Sequence, residues 1–508
     1  MLVGDILEKS AWVNPNKTAW VGEGIRLTFA ESNERTNRVA NSLLEMGLRK
    51  GDRIALLAKN SVQYMELYFA IAKLGGVAVP VNWRLNKDEL IYILRDSGPK
   101  AIFYSEEFST LVEGLKAEIA SVAESIQIDG NTNTLSYDQL VERGSPKRLA
   151  IDLRVDDVAI QFYTGGTTAR PKGVLWSHRG IHYNCLNVSL GWNLSANTVT
   201  LVVLPLFHQA GAHTIADTFM GSTCVILPEF AALKVLSTIE KERITRVIMV
   251  PTTIVMLIEH PDREKYDLSS LRSIQYGGAP MPVRPLKKAL EVLNCGFSQS
   301  YGMTEAPILT RLSPDDHIVG DSPLKLKRLQ SVGRPMPDVV GIRIVDDSDH
   351  ELPQGAVGEI IAKAPCQMLG YWNLPEENEK TLCGGWVHTG DMGYFDEGGY
   401  LFLTERKKDI IISGGENISA KEVEEVLYEH PAVLECTVIG IPHDVWGEAV
   451  KAVVVLKNGA HAEESELLQH CRKKLAGFKC PKSVDFVNVL PKSTIGKILK
   501  RLVRERYW

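Results

Sequence analysis

Residues 163–173 combine, in one short segment, the residue types that bind phosphate groups. The segment reads Tyr-Thr-Gly-Gly-Thr-Thr-Ala-Arg-Pro-Lys-Gly. Glycines let the backbone approach a ligand closely, hydroxyls donate hydrogen bonds, and cations neutralise negative charge. The Ser or Thr that follows the lysine of the common nucleotide-binding loop is missing after Lys172, and the segment lacks the Gly-x-Gly-x-x-Gly pattern of dinucleotide sites. The segment therefore predicts a phosphate cradle of another kind, with a purely structural turn as the second interpretation.

Further segments carry side chains suited to nucleotide and acid chemistry. Residues 299–305 read Gln-Ser-Tyr-Gly-Met-Thr-Glu. The tyrosine offers a stacking face for a purine, the threonine a phosphate donor and the glutamate a hard oxygen ligand for Mg²⁺. The remaining segments are the strand end at His208, the small-residue turn 276–280, residues 386–391 (Trp-Val-His-Thr-Gly-Asp) and residues 491–497 near the basic end. Taken singly, His208 could be a packed histidine and residues 276–280 a tight turn. Glu305 could cap a helix, and Lys497 could be an ordinary exposed lysine. Only the combination of these segments distinguishes the interpretations.

In combination and in order, the segments resemble the signature motifs of the adenylate-forming acyl-activating superfamily, which includes acyl-CoA synthetases, 4-coumarate-CoA ligases and luciferases. Residues 163–173 resemble Tyr-Thr-Ser-Gly-Thr-Thr-Gly-x-Pro-Lys-Gly, with Gly165 in place of Ser and Ala169 in place of Gly. Residues 301–305 match Tyr-Gly-x-Thr-Glu, and residues 491–497 match Pro-x-x-x-x-Gly-Lys. The motifs span almost the whole chain.

The resemblance implies a role for each of these residues. Lys497 would bridge the carboxylate and the α-phosphate, His208 would lie beside the acyl carboxylate, and Lys172 would contact the outgoing phosphates; Glu305 would bind Mg²⁺. The residues implied to bind ATP or coenzyme A are Thr164, Gly165, Gly166, Thr167, Thr168, Gly277, Gly278, Ala279, Gln299, Tyr301, Gly302, Thr304, Asp391, Arg406, Ser413, Gly414 and Gly415. Within this set, Asp391 and Arg406 are implied to hold the ribose and residues 413–415 to line the pantetheine channel.

Composition and charge exclude several other classes of protein. The 508 residues are 44% hydrophobic and 23% charged, which is typical of a globular enzyme with two or three domains. A net charge of −5 gives no basic field for nucleic acid. The eight cysteines show no Cys-x-x-Cys spacing, and no apolar run reaches the ~18 residues of a membrane-spanning helix. With no signal peptide pattern at the start, the sequence predicts a cytoplasmic protein, and an oligomer is compatible with it.

The elements that must position these residues follow from the hydrophobic pattern. Runs rich in Val, Ile and Leu with little alternation, such as 53–57, 77–81, 201–204 and 246–250, indicate strands buried on both faces of a largely parallel sheet. Intervening helical patterns make the fold class α/β. Short strands between about 355 and 403 predict a small β-barrel-like region.

A compact α+β unit is predicted after the charged residues 405–409. Ser419 and Glu422 are expected to form a capping box, in which each side chain satisfies the other's backbone donor. We therefore predict an N-terminal acid- and ATP-binding domain over residues 1–405 and a mobile C-terminal domain over 406–508, with the hinge of the family falling near Lys408.

The resemblance implies a two-step reaction with ATP, Mg²⁺ and coenzyme A. A carboxylic acid is first converted to an acyl-adenylate, and the acyl group then passes to CoA with release of AMP. The small residues in 209–213 predict a roomy pocket for a medium- or long-chain fatty acid. The alternatives are an aryl acid, a carrier protein as acyl acceptor, a luciferase-type oxidation, and an inactive relative that only binds, against which the intact Lys497, Glu305 and Asp391 argue.

Overall fold

Four sheets and their helices form the chain. The computed structural model describes residues 1–130, 134–164, 170–279, 281–318, 322–406, 411–413, 416–444, 446–492 and 498–507; at 210, 405, 406, 412 and 417 it describes the backbone alone. The helices are α1 Val3–Val13, α2 Phe29–Glu45, α3 Val62–Leu74, α4 Lys87–Ser97, α5 Ser109–Lys116, α6 Tyr137–Arg143, α7 His178–Trp192, α8 Gln209–Phe219, α9 Ala232–Lys241, α10 Pro251–Ile258, α11 Val283–Leu293, α12 Pro323–Arg328, α13 Pro375–Thr381, α14 Ala420–Tyr428, α15 Glu464–Arg472 and α16 Lys500–Arg504.

A nine-stranded sheet carries two of the predicted nucleotide-binding segments, 276–280 and 299–305. Its strands are β1 Thr18–Gly22, β2 Ile25–Thr28, β9 Val199–Val202, β10 Thr223–Ile226, β11 Arg246–Met249, β12 Ser273–Gly277, β13 Gly296–Tyr301, β14 Thr310–Leu312 and β15 Arg334–Pro335. The order is β15-β14-β13-β12-β11-β9-β10-β1-β2, and the six strands from β13 to β1 pair in parallel. Ligands in such sheets bind beyond the carboxyl ends of the strands, which places residues 277–279 and 301–305 at the same edge.

A seven-stranded sheet carries the predicted phosphate loop. Its strands are β3 Arg53–Leu57, β4 Val77–Pro80, β5 Ala101–Tyr104, β6 Glu124–Gln127, β7 Val158–Tyr163, β8 Gly173–Ser177 and β18 Gly370–Tyr371, in the order β18-β8-β7-β4-β3-β5-β6. The hairpin β7–β8 is antiparallel, and β18 adds to its outer edge.

Helices α1, α2, α3, α7 and α8 fill one core together with residues of both large sheets. Helix α3 is apolar around most of its circumference because it is buried there, with Ser61 as its N-cap and Gly75 in the left-handed conformation at its end. Within the described residues, no helix combines the length and the apolar character needed to cross a bilayer.

Two smaller sheets complete the chain. An antiparallel sheet contains β16 Gly341–Val345, β17 Gly358–Lys363, β19 Leu382–Cys383, β20 Trp386–Phe395 and β21 Leu401–Arg406. The C-terminal sheet contains β22 Ile411–Ser413, β23 Glu416–Ile418, β24 Val433–His443, β25 Gly447–Leu456 and β26 Ser483–Phe486, with its own core against α14 and α15. The predicted fold class, with mainly parallel sheets, a small β-rich region and a small α+β unit, is confirmed.

The expected capping box at α14 is only half correct. Ser419 Oγ accepts the backbone N–H of Glu422 at 3.3 Å, as an N-cap should. The Glu422 carboxylate instead accepts from Lys479 Nζ at 2.8 Å. A tertiary ion pair therefore replaces the local return bond of the motif.

Candidate active site

The two ends of the predicted phosphate loop are held together as a hairpin. Thr164 N–H donates to the Lys172 carbonyl oxygen at 3.1 Å, and Lys172 N–H donates to Thr164 Oγ1 at 3.3 Å. The strand pairing places Tyr163 opposite Gly173. The predicted ligands Gly165, Gly166, Thr167 and Thr168, and the unusual Ala169, lie outside the described residues.

Lys172 is fixed by an acid that the sequence analysis did not identify. Its Nζ lies 2.5 Å from Glu377 Oε2 on α13 and 4.8 Å from the centre of the Tyr371 ring. The hydrogen bond from Lys172 lowers the pKa of Glu377, with Lys380 contributing in the same direction. Lys172 therefore carries its charge into a half-buried position where an anion can replace Glu377.

Glu305 lies close to the same tyrosine. The Tyr371 hydroxyl donates to Glu305 Oε1 at 2.7 Å, and the glutamate is 7% exposed. Burial raises the pKa of Tyr371, and the neighbouring Glu305 raises it further, so the phenol stays protonated as a donor. Trp176 Nε1 donates to the Thr304 carbonyl oxygen at 2.8 Å and so fixes this turn.

The interpretation of Glu305 as a helix cap is wrong, because the described residues 301–310 contain no helix. Its backbone carbonyl instead accepts the N–H of Met368 at 2.8 Å. This hydrogen bond connects the turn containing Glu305 to the segment that leads into β18. The Glu305 carboxylate does not cap a helix.

Tyr301 and Asp391 meet between two sheets. Tyr301 ends β13, and its hydroxyl donates to Asp391 Oδ2 on β20 at 2.9 Å. Asp391 lies within β20, where Thr389 Oγ1 accepts the Asp391 N–H at 3.1 Å. The backbone of Arg406 pairs with Asp391, although its side chain is outside the described atoms. The predicted purine- and ribose-binding residues therefore lie within hydrogen-bonding distance of each other.

At two of the glycines implied to bind ATP, Gly277 and Gly302, neighbouring backbone leaves no room for a side chain. A Cβ at Gly277 would lie 2.6 Å from the Ser300 carbonyl oxygen, and one at Gly302 would lie 2.4 Å from the Ile308 nitrogen. Gly278 has φ of +77°, which L side chains rarely adopt. Ala279 is partly exposed beside it, and Gln299 is buried on β13.

His208 lies directly before α8. Two side chains from a distant part of the chain hold the turn that precedes it in place. Asn60 Oδ1 accepts the Leu206 N–H at 2.8 Å, and the Tyr68 hydroxyl donates to the Leu206 carbonyl oxygen at 2.7 Å. Burial lowers the pKa of His208 to about 4, and Arg84 lowers it as well. The imidazole is therefore neutral near pH 7.

Among the residues of the C-terminal domain that were predicted to bind ligands, Ser413 lies within the described part of the chain. It pairs across the sheet with Glu416 and Gly447. Gly414, Gly415, Lys497 and the hinge residue Lys408 lie outside the described residues. The N-terminal part contacts the C-terminal part through Lys421 Nζ, which donates to the Leu403 carbonyl oxygen at 3.1 Å.

The residues missed by sequence reasoning are Asn60, Tyr68, Tyr371 and Glu377. Each acts through a partner at least 66 residues away along the chain. Short-range patterns therefore had no means of identifying these four residues.

Comparison with known proteins assigns the chain to a family. Residues 7–372 match the AMP-binding enzyme model, and residues 422–497 match the AMP-binding enzyme C-terminal domain. The chain is 37% identical over 504 residues to fatty acid–[acyl-carrier-protein] ligase ScoC of Streptomyces coeruleorubidus, covering 97% of this chain and 94% of the relative. It is 38% identical over 501 residues to feruloyl-CoA synthase of an Amycolatopsis species, covering 98% of each.

Among solved structures, ATP-bound MatB of Rhodopseudomonas palustris superimposes with a TM-score of 0.90 at 32% identity, covering 100% of this chain and 99% of that one. Enzymes of this family use ATP, Mg²⁺ and CoA, as predicted, and the chain is therefore an AMP-forming ligase of acids. The chain belongs to the AMP-binding, adenylate-forming enzyme family.

Proposed function

We propose that the chain activates a carboxylic acid as acyl-AMP and transfers the acyl group to CoA. The observation that carries this proposal is the continuous set of contacts from Lys172 through Tyr371 to Glu305. The hydrogen bond between Tyr301, at the end of β13, and Asp391, on β20, adds to it. A cation, a carboxylate suited to binding Mg²⁺ and a carboxylate suited to binding ribose hydroxyls therefore lie near the carboxyl end of the parallel strand β13.

In the first step, a carboxylate oxygen attacks the α-phosphorus of ATP and pyrophosphate leaves. An anion must approach a polyanion, so the site must supply positive charge. Lys172 supplies it near the phosphates, and Lys497 is proposed to supply it at the new bond. Glu305 fits Mg²⁺, because its buried carboxylate offers oxygen ligands and Tyr371 orients one of them. When bound, the ion neutralises phosphate charge.

In the second step, the CoA thiolate attacks the acyl carbonyl carbon, and the bond to the AMP oxygen breaks. We propose that the domain of residues 406–508 turns about the hinge near Lys408, which withdraws Lys497 and brings residues 413–415 to the thiol. The proposed boundary after residue 405 is supported by the separate family matches, which cover residues 7–372 and 422–497.

The neutral His208 suits a site for an acid that must remain a nucleophile. With its pKa lowered to about 4, the imidazole does not form a full ion pair with the incoming carboxylate near pH 7. Such an ion pair would stabilise the ground state of the acid and reduce its reactivity.

A medium- or long-chain fatty acid is the first candidate substrate, proposed from the sequence. The roomy pocket predicted from the small residues in 209–213 is less well supported than expected, because Gly211 does not border open space. A Cβ there would lie 2.5 Å from the Leu206 carbonyl oxygen and 2.7 Å from the Tyr68 hydroxyl. Close backbone packing, and not pocket volume, accounts for this glycine.

An aryl acid with a polar ring substituent is the second candidate, and the buried polar cluster between α8 and the nine-stranded sheet favours it. Arg246 and Asp217, 1% and 0% exposed, pair at 3.1 Å, and Arg246 Nη2 donates to Gln275 Oε1 at 2.5 Å. Arg246 Nε and His213 Nε2 are buried without a hydrogen-bond partner among the described residues. An unpaired buried donor is costly, so a substrate hydroxyl that reached it would gain a bond.

The test is AMP release with ATP, CoA and a panel of acids. Octanoate and palmitate represent fatty acids, and coumarate and cinnamate differ by one hydroxyl. A preference for coumarate over cinnamate supports the aryl proposal, a preference for palmitate supports the fatty acid, and acetate as the best substrate contradicts both. AMP release that requires a carrier protein instead of CoA contradicts the proposed acceptor.

A further inference from the structure

Three side chains of different chemical type converge beside β20, and none of them is among the residues predicted to bind ATP or coenzyme A. They are the carboxylate of Asp349, the thiol of Cys383 and the imidazole of His388, and their ligand atoms all lie within 4.8 Å of one another. Carboxylate, thiolate and imidazole are the ligands that Zn²⁺ takes in proteins. We infer that these three residues form a binding site for a thiophilic divalent cation, with Zn²⁺ as the best fit.

The spacing within the cluster suits a shared ion better than direct bonds. His388 Nε2 lies 3.7 Å from Asp349 Oδ1, which is beyond hydrogen-bonding distance. Two oxygen or nitrogen ligands of a tetrahedral Zn²⁺, with bonds of about 2.0–2.1 Å, lie roughly 3.3 Å apart. A small side-chain rotation therefore closes the site, and a water molecule can take the fourth position.

The second ring nitrogen of His388 gives an independent indication. Its Nδ1 lies 3.6 Å from Glu359 Oε1, which is too far for a hydrogen bond but close enough for a small rotation of the ring to form one. Histidines that bind metal through one nitrogen commonly present the other to a carboxylate, which fixes the ring and raises its basicity. Glu359 is itself held, because its Oε1 accepts the Gly390 N–H at 3.1 Å.

The backbone carries all three ligands on fixed elements. Cys383 on β19 pairs with Trp386, two residues before His388 on β20. Asp349 lies in a turn that Asp346 closes by accepting the N–H groups of Ser348 and His350, at 2.8 and 3.0 Å. A bound ion would therefore link this turn to the β19–β20 hairpin.

The ligand types also separate this site from Mg²⁺ chemistry. Thiolate is a soft ligand that favours Zn²⁺ and disfavours Mg²⁺, which prefers oxygen. Of the eight cysteines, all within the described residues, Cys383 is the one exposed thiol. It is thus the cysteine that free Zn²⁺ reaches most readily.

The proposed metal site lies next to the predicted ribose-binding residue Asp391. Glu359 contacts the Gly390 N–H, and the next residue, Asp391, accepts the Tyr301 hydroxyl. Zn²⁺ that fixes His388 and Glu359 is therefore expected to change the KM for ATP. This consequence depends on the proposed function, whereas the binding itself does not.

The test is Zn²⁺ binding by untagged, chelator-treated full-length protein, measured by titration calorimetry in the absence of nucleotide. We expect one equivalent of Zn²⁺ and, with Co²⁺, a thiolate-to-metal charge-transfer band. Cys383→Ser should lower the affinity more than tenfold and remove that band. His388→Ala should also lower the affinity more than tenfold, and Glu359→Gln about tenfold.

Two variants serve as matched controls. His350→Ala removes an exposed histidine from the same turn, and Cys295→Ser removes a partly buried thiol elsewhere. Both should bind Zn²⁺ as the unmodified chain does. Absence of saturable binding, or equal affinity in His388→Ala and the unmodified chain, overturns the inference. Zn²⁺ binding in a protein that fails to release AMP would contradict only the proposed function.

Discussion

The contact between Lys172 and Glu377 predicts that this glutamate competes with ATP. The two charged atoms lie 2.5 Å apart, and the side chains are 27% and 35% exposed. If Lys172 binds the phosphates, ATP must replace Glu377 as its partner. Glu377→Gln should therefore lower the KM for ATP and leave kcat nearly unchanged, because the pair is already broken once ATP is bound.

The size of the effect follows from the exposure of the pair. Partly exposed ion pairs are worth about 0.2–1 kcal/mol, which corresponds to a change of about 1.4- to 5-fold in an equilibrium constant. We expect a decrease in KM within this range, and a smaller one at high salt because exposed charges are screened.

The assay is ATP–pyrophosphate exchange at saturating acid, which isolates the first step. Glu379→Gln is the matched control, since it removes the same charge from an exposed position on the same helix. A KM that rises in Glu377→Gln, or that changes equally in both variants, would refute the reasoning.

The remaining predictions concern catalysis and stability. Lys497→Ala should lower adenylation at least about 100-fold, while a supplied acyl-adenylate still reacts with CoA; loss of both half-reactions would contradict the hinge model. Asp217→Asn should destabilise the fold by about 3–5 kcal/mol in urea unfolding, because it leaves the buried Arg246 without its counter-charge. Asp156→Asn, from an exposed pair with Arg179, should leave the unfolding midpoint nearly unchanged, and equal losses in the two variants would be contrary evidence. Burial lowers the pKa of His213 from 6.5 to about 3, so the unfolded state takes up a proton that the folded state does not, and stability falls as pH drops below about 6.5. His213→Asn should remove about 1.5 kcal/mol of the stability lost between pH 6.5 and 5, and an unchanged pH dependence would oppose this assignment.

Much of the fold was predictable from local patterns. The run 53–57 coincides with β3, and the run 77–81 contains β4, Val77–Pro80. Strands and helices with a continuous or periodic apolar surface can be recognised from the sequence, because burial of that surface stabilises them wherever they pack. The Glu422 side chain shows the limit of this reasoning: its local motif was correct, but Lys479, 57 residues away, takes the carboxylate.

The candidate site was predictable as a set of residues but not as an arrangement. Resemblance supplied Lys172, Glu305, Tyr301 and Asp391, whose roles remain predictions. Nothing local indicated that Tyr371 would connect the first two. Its hydroxyl reaches Glu305 only because β18 joins the edge of β8 and so returns the chain to the phosphate hairpin.

The sequence by itself determined the family, the α/β class and the residues available for chemistry, because motifs and apolar periodicity are short-range properties of the chain. Only the tertiary structure decided which partners those residues have. Lys172 meets Glu377 across 205 residues, and Tyr301 meets Asp391 across 90. The physical reason is that charge pairing and hydrogen bonding depend on distances of about 3 Å, and these are set by how sheets and helices pack rather than by spacing along the chain.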